Sequence, residues 1–160
     1  MIYPDPLLRP LTAADGPALR TFSCRGWREP WTDIAEEMIR DHLEGALALG
    51  DVDTVGAWQG TDLVGVAVWR IRGERCTSVV LAVANGHRRR GLGRSLKLAV
   101  IAAARSARAN VVVSQVHWDN EPMLFLNRLM GANTERIPGD DEYCLCIIPI
   151  ATRDTPLPHP

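Results

Sequence analysis

The 160-residue sequence contains no uninterrupted apolar run approaching the ~20 residues that a membrane-spanning helix needs. Its first residues, Met1-Ile2-Tyr3-Pro4-Asp5-Pro6, lack the charged and apolar regions of a signal peptide. These absences point to a soluble, cytoplasmic protein with no membrane partner. Excess charge is missing too. Lys+Arg number 18 and Asp+Glu 19, a formal net charge of -1, so there is no global pull toward nucleic acid or an anionic surface. Cys24, Cys76, Cys144 and Cys146 form no Cys-x-x-Cys pair and no Cys/His ligand series, so no metal is expected. They read as free, partly buried thiols, with Cys144 and Cys146 two apart on one face of a strand. No internal repeat and no linker divides the chain. Hydrophobic residues at 46% and charged residues at 23% suit a single globular domain, expected over 1–150. The segment 151–160, with Pro156, Pro158 and Pro160, is expected to be a disordered tail.

What is present is a change of hydrophobic period along the chain. Leu7 to Leu11 reads as a short strand, and Thr12 as the cap of a helix through Leu19 and Phe22, with Pro17 tolerated in the first turn. Gly26 to Trp31 reads as a loop. Thr32 or Asp33 then starts a helix whose apolar stripe includes Ile34, Met38, Leu43 and Leu47 and which ends near Gly50. Strands are expected over Thr54–Gln59, Leu63–Ile71 and Cys76–Ala84, with turns at Gly60-Thr61-Asp62 and Arg72–Arg75. Gly91 to Ala109, rich in Ala, Leu, Arg and Lys, is the strongest helix. Val111–His117 follows as a strand, then a helix from about Asn120 to Met130 ended by Gly131, then strands at Thr134–Ile137 and Tyr143–Ile150. The order β-α-α-β-β-β-α-β-α-β-β predicts an α/β (α+β) domain with a mixed central sheet.

The apolar strand Cys76–Ala84 runs into Asn85-Gly86-His87-Arg88-Arg89-Arg90-Gly91-Leu92-Gly93-Arg94, inside which the long helix begins. Free backbone N–H groups and the positive end of the helix dipole therefore stand at the mouth of a basic loop. Gly91 and Gly93 remove side chains where an anion's oxygens must approach the backbone, so this loop is a candidate phosphate site. The nucleotide-triphosphatase pattern Gly-x-x-x-x-Gly-Lys-Ser/Thr is absent. The dinucleotide pattern fails at Leu96, which stands where its third glycine belongs. A nucleic-acid reading through Arg88, Arg89, Arg90, Arg94 and Lys97 is weakened by the balanced net charge and the lack of aromatic stacking residues near the loop.

In Arg88-x-x-Gly91-x-Gly93 the sequence resembles the GNAT superfamily of N-acetyltransferases, which wrap the pyrophosphate of coenzyme A with Arg or Gln, two residues, Gly, one residue, then Gly or Ala. Val83, His87 and Arg88 match the flanking positions, and Asn85 replaces a common proline. Downstream, Asn120 and Gly131 match the family's second motif. Met123 replaces its usual Ala, Asn127 its tyrosine and Ala132 its aromatic. Asn120, Met123 and Asn127 fall on one helix face. The resemblance is specific from about Cys76 to Gly131.

The resemblance implies acetyl-CoA as co-substrate, two central strands (Cys76–Ala84 and Val111–His117) splayed apart, and pantetheine paired to the first through Leu81 and Val83. It implies a cofactor-binding set of Leu81, Val83, Arg88, Arg89, Gly91, Leu92, Gly93, Arg94, Asn120, Met123 and Asn127. A backbone N–H of that strand would polarise the thioester carbonyl, and an acceptor amine would attack directly, without an acyl-enzyme. Glu74, His117 and Asp119 are candidate bases for the amine's proton, each equally readable as a turn residue, a packed strand residue and a helix-start charge. The family tyrosine usually protonates the leaving thiolate. Asn127, an amide, can only hydrogen-bond the sulfur or hold a water, and Tyr143 is a candidate substitute. The catalytic candidates are thus Glu74, His117 and Asn127. For the acceptor, Phe22, Trp27 and Trp31 with Glu29, Asp33, Glu36 and Glu37 form either a wall for a cationic amine or an ordinary amphipathic helix. Phe22-Ser23-Cys24 is similar to the Phe-x-Cys start of some toxin acetyltransferases that act on aminoacyl-tRNA, although Asn127 and the near-neutral charge argue against that substrate. The remaining alternative is a non-catalytic acyl-CoA-binding regulatory module. A homodimer is left open.

Overall fold

In the computed structural model, residues 6–25 and 30–151 are described. The strands are β1 (Leu7–Arg9), β2 (Asp53–Gln59), β3 (Asp62–Arg72), β4 (Arg75–Val83), β5 (Val111–His117), β6 (Asn133–Ile137) and β7 (Asp140–Pro149). They form one sheet in the order β1-β2-β3-β4-β5-β7-β6. Every neighbouring pair is antiparallel except β4 and β5, which are parallel because the long helix between them returns the chain to the same end. The sheet is mixed, as the element order implied. The expected loop at 26–31 is described only from residue 30, and all of the expected tail but Ala151 lies outside the described residues.

Helices cover both faces. On one side lie α1 (Gly16–Thr21), α2 (Pro30–Glu37) and α3 (Leu43–Leu49), and on the other α4 (Leu92–Ser106). The strand period of two sorts the side chains. Val66 and Val68 of β3 join Leu19, Phe22, Ile39 and Leu43 in one core, while Ala67 and Trp69 join Leu96, Val100 and Ala104 of α4 in the other. Buried on both faces, β3 reads as a near-continuous apolar run. Leu96 and Val100 are fully buried, so truncating Leu96 to Ala would cost on the order of 2–5 kcal/mol. A smaller cluster packs Val116, Cys144 and Cys146 against Met123 and Leu124 of α5 (Glu121–Leu129). Cys144 and Cys146 do share one strand face, and all four cysteines are free and buried.

Two local departures from the sequence reading have physical causes. Thr12 opens a 3-10 turn (Ala13–Asp15) ahead of α1, its N–H donating to Asp15 Oδ2 at 2.8 Å. The single helix expected from Thr32 to Gly50 is α2 and α3 joined by a π turn over Met38–His42. The wide turn shifts the phase of the apolar stripe, so Ile39 and Leu43 are buried while Ile34 is left 55% exposed. Gly50, at φ +69°, stops α3 in the left-handed conformation.

Candidate active site

Two features of β4 open the sheet. Against β3, Val68 pairs with Val80 but Trp69 pairs with Ser78, leaving Val79 as an extra residue in a β-bulge. Against β5, the ladder runs only from Arg75↔Val111 to Ser78↔Ser114. The bulge bends β4 where the parallel ladder stops, and β5 continues alone with β7 through Gln115↔Leu145 to His117↔Tyr143. Between the parted strands lies a cleft of about 700 Å³, within the range of small-molecule sites. Its β4 wall, Val79–Val83, has no β5 partner, so backbone groups on that edge are available to a ligand.

One end of the cleft meets the start of α4. There Arg89 (φ +59°) and Gly91 (φ +81°) both take the left-handed conformation, which for the arginine costs on the order of 1–2 kcal/mol. Gly91 caps the helix, and the N–H groups of Leu92, Gly93 and Arg94 have no acceptor within it. A left-handed turn feeding a helix start is a concave set of N–H donors suited to an anion. A Cβ on Gly93 would lie 3.8 Å from Leu126 and 3.9 Å from Leu81 and Val83, so the missing side chain keeps this end of the cleft open. The Arg88 guanidinium is partly committed to bracing: Nε donates to Val83 O at 3.3 Å, and a terminal nitrogen donates to Cys24 O.

The expected cofactor residues divide into two groups. Leu81, Val83, Arg88, Arg89, Gly93, Asn120 and Met123 all line the cleft. Asn120 also caps α5, accepting from Met123 N at 3.3 Å. Gly91, Leu92, Arg94 and Asn127 are not in its wall. Leu92 is packed into the core and the Arg94 side chain is exposed. Asn127 is fully buried behind Met123, to whose carbonyl its Nδ2 donates at 3.0 Å.

The catalytic candidates part company. Glu74 is an exposed turn residue before β4, at the end opposite the bulge. Its carbonyl accepts Asn110 N at 2.7 Å, and it does not reach the cleft. His117 does line the cleft, between Trp31 and Tyr143, with ring centroids 5.2 Å from each. Its Nδ1 accepts Asp119 N at 3.1 Å, so the neutral ring carries its proton on Nε2 and has no lone pair free for use as a base. Asp119 itself is 83% exposed. The proposed acceptor wall also dissolves in part, since Phe22 is core. Glu36 is 2% exposed, and its carboxylate accepts Cys24 N and Ser23 Oγ at 3.0 Å and Arg40 at 2.8 Å. Asp33 faces Arg25 across 3.1 Å. Trp27 and Glu29 lie outside the described residues. Phe22 and Cys24, the pair similar to the toxin enzymes, are both buried in packing.

Lys97 and Ser114 also line the cleft and were not among the site residues read from the sequence. Lys97 is 1% exposed, and Nζ donates to Ser114 Oγ at 3.1 Å. Ser114 in turn donates to Asn127 Oδ1 at 3.5 Å. Burial pushes the Lys97 ammonium down to about 8, the nearby Cys146 and Cys76 thiols offsetting only part of the desolvation. A signal for it existed: Lys97 falls at helical spacing with Gly93, Val100, Ile101 and Ala104, a lone cation on α4's inward face. The nucleic-acid reading groups it with the loop arginines, whereas the fold turns it into the core. Among the described residues no cluster suits a metal ion, and no helix is long and apolar enough to cross a membrane.

Over residues 17–132 the chain matches the acetyltransferase (GNAT) family model. It belongs to that family. Among solved structures it is similar to the PaiA N-acetyltransferase of Thermoplasma acidophilum in complex with coenzyme A, with a TM-score of 0.77 at 14% identity, covering 90% of this chain and 98% of that one. It is also similar to the ribosomal-protein-S18-alanine N-acetyltransferase of Escherichia coli (TM-score 0.71, 18% identity, 95% and 98% covered). A third is a nourseothricin acetyltransferase (TM-score 0.67, 19% identity, 92% and 99% covered). At these identities the likeness is one of fold. A search among curated protein sequences finds no match.

Proposed function

We propose that the protein is an N-acetyltransferase that transfers the acetyl group of acetyl-CoA to a primary amine of a small molecule or peptide by direct attack. The observation that carries this reading is the cleft opened by the Val79 bulge, which runs into the left-handed anion turn at the start of α4. A pyrophosphate is the anion that suits the loop, and a thin, amide-bearing arm suits the unpaired edge of β4.

The chain's own groups have distinct tasks. N–H groups of Leu92, Gly93 and Arg94, with the helix dipole, hold the pyrophosphate. Backbone N–H groups of β4 beyond Val79 bind the arm and polarise the thioester carbonyl, stabilising the oxyanion that forms on attack. Trp31, His117 and Tyr143 receive the acceptor on the opposite wall, where ring faces favour an amine. His117, its Nδ1 already engaged by the Asp119 N–H, orients the acceptor, and cleft water takes the amine's proton. No acyl-enzyme is invoked, since burial raises the Cys24, Cys76 and Cys144 thiols to about 11 and away from nucleophilic thiolates. The amide at Asn127, which cannot supply a proton, is what favours the second reading, a non-catalytic acyl-CoA-binding module.

A thiol-release screen with acetyl-CoA against small amines, aminoglycosides, polyamines and peptide N-termini tests the proposal. Turnover on any acceptor, lost in Gly93→Leu while the melting temperature holds, is the expected result. Thermal stabilisation by acetyl-CoA with no turnover on any acceptor selects the binding module. If neither stabilisation nor turnover occurs, both readings fail.

A further inference from the structure

The cleft floor holds a charge that packing alone does not explain. Lys97 reaches from α4 to the point where β4 and β5 part, and its ammonium is almost entirely removed from water. An ammonium has three N–H donors, and among the described residues Lys97 uses one, to Ser114. Among the described residues no carboxylate answers it. The ionisable groups that bear on it are the Cys76 thiol of β4 and the Cys146 thiol of β7, while β5 and α5 present the neutral Ser114 and Asn127. An unpaired buried cation is costly, and a buried methionine of the same length would fill the space without that cost. The arrangement is also directional: Lys97 Nζ donates to Ser114 Oγ, whose own hydrogen is passed on at 3.5 Å to Asn127 Oδ1. Both Lys97 and Ser114 border the cleft, next to the bulged strand.

We propose that the Lys97 ammonium, with the Ser114 hydroxyl as its outlet, stabilises and protonates the CoA thiolate as it leaves. The proposal rests on the acetyltransferase reading above, with the thioester at the parting of β4 and β5. The amine nitrogen attacks the thioester carbon; the new C–N bond forms, the C–S bond breaks, and sulfur leaves with the electron pair. Rotation about the Ser114 Cβ–Oγ bond re-aims its hydrogen to the sulfur, and Lys97 replaces that proton on Oγ. The amine nitrogen releases one proton to cleft water, and neutral Lys97 recovers one from it. Protons balance with no further reactant. Ser114 is the group that touches sulfur, and Lys97 is the reservoir and the charge behind it.

The test does not depend on finding the acceptor. Free CoA is bound to the wild-type protein, to Lys97→Met and to Ser114→Ala, and the thiol is titrated through its thiolate absorbance. A cation at the sulfur stabilises the thiolate, so the bound thiol should ionise at a pH at least one unit lower in wild type than in Lys97→Met, a tenfold change in its ionisation constant. Ser114→Ala, which keeps the cation, should retain the low value and guards against a folding defect in the first variant. With an acceptor in hand, both variants should lower kcat by about 10²-fold or more with KM for acetyl-CoA changed less than threefold. The alkaline fall in wild-type kcat should disappear in Lys97→Met. If CoA binds all three proteins and its thiol titrates identically in wild type and Lys97→Met, the proton-relay proposal is overturned and the acetyltransferase reading stands. Absence of CoA binding by the wild-type protein would overturn both.

Discussion

Lys97 carries a consequence for stability that is separable from catalysis. Desolvation lowers its folded-state pKa to about 8, below the ordinary lysine value. Between the two values the unfolded chain binds more protons than the folded one, so this residue's contribution to stability rises with pH across that window. Below about 8 both states are protonated and the folded state bears the full desolvation cost. Lys97→Met should therefore raise stability at neutral pH, by up to about 3 kcal/mol. The gain over wild type should shrink as pH climbs through 8 toward the lysine range. Urea unfolding of both proteins at a series of pH values measures the difference directly. The comparison is needed because raised thiols at Cys24, Cys76 and Cys144 act oppositely, with stability lost as pH rises past the ordinary thiol range toward about 11. An equal gap at pH 7 and pH 10 would mean that Lys97 holds its proton as firmly in the folded chain as in the unfolded one, with no desolvation shift.

At the scale of elements, the site is made by two interruptions of regular structure. The Val79 bulge ends a parallel ladder, and the left-handed Arg89 and Gly91 end a loop at a helix start. Among the described residues, both leave backbone N–H groups outside the β4–β5 ladder and the α4 helix bonds. Hydrogen exchange should register this. Amides of Val79–Val83 not bonded to β3 should exchange freely in the unliganded protein and slow tenfold or more with CoA. Those of Arg75–Ser78, already laddered to β5, should change little. Uniform slowing of both segments would show general stiffening and not pairing at the open edge. The loop was legible in the sequence because glycine spacing and a strand-to-helix switch are local signals. The bulge was not, since an unbroken apolar run such as Val79–Val83 carries no mark of where a ladder on either side of it stops.

Over the whole molecule, the helices ahead of β2 are joined to the loop before α4 through a small set of polar ties. Glu36, buried in α2, gathers the N–H groups of Cys24 and Arg25, the Ser23 hydroxyl and the Arg40 guanidinium, and Cys24 O in turn receives Arg88 from the loop before α4. Burial by itself would raise the Glu36 carboxyl, but these donors outweigh it and the net shift is downward. The stability it contributes is therefore present above the ordinary carboxylate range and lost as pH falls below it. Glu36→Ala should cost on the order of 2–4 kcal/mol, because it strands buried donors. It should also weaken CoA binding although it touches no part of the proposed pyrophosphate turn. Calorimetry of CoA binding on a variant confirmed folded tests the second half. An unchanged dissociation constant would show that the tie is structural only.

The sequence by itself determined the order of elements, the mixed sheet, the phosphate-type loop and the family, because each rests on residues close together in the chain. Helical and strand periodicity, glycines before a helix and an asparagine cap act over a few residues. Only the tertiary structure decided which candidates meet. It left Glu74 at the far end of β4, put Glu36 in a clamp, hid Asn127 behind Met123 and filled the His117 lone pair. It also brought Lys97, 17 residues before Ser114, against it beneath the parted strands. The physical reason is that burial and hydrogen-bond partnership are set by long-range packing. Two residues on different elements acquire a shared chemistry only once a sheet has brought them together.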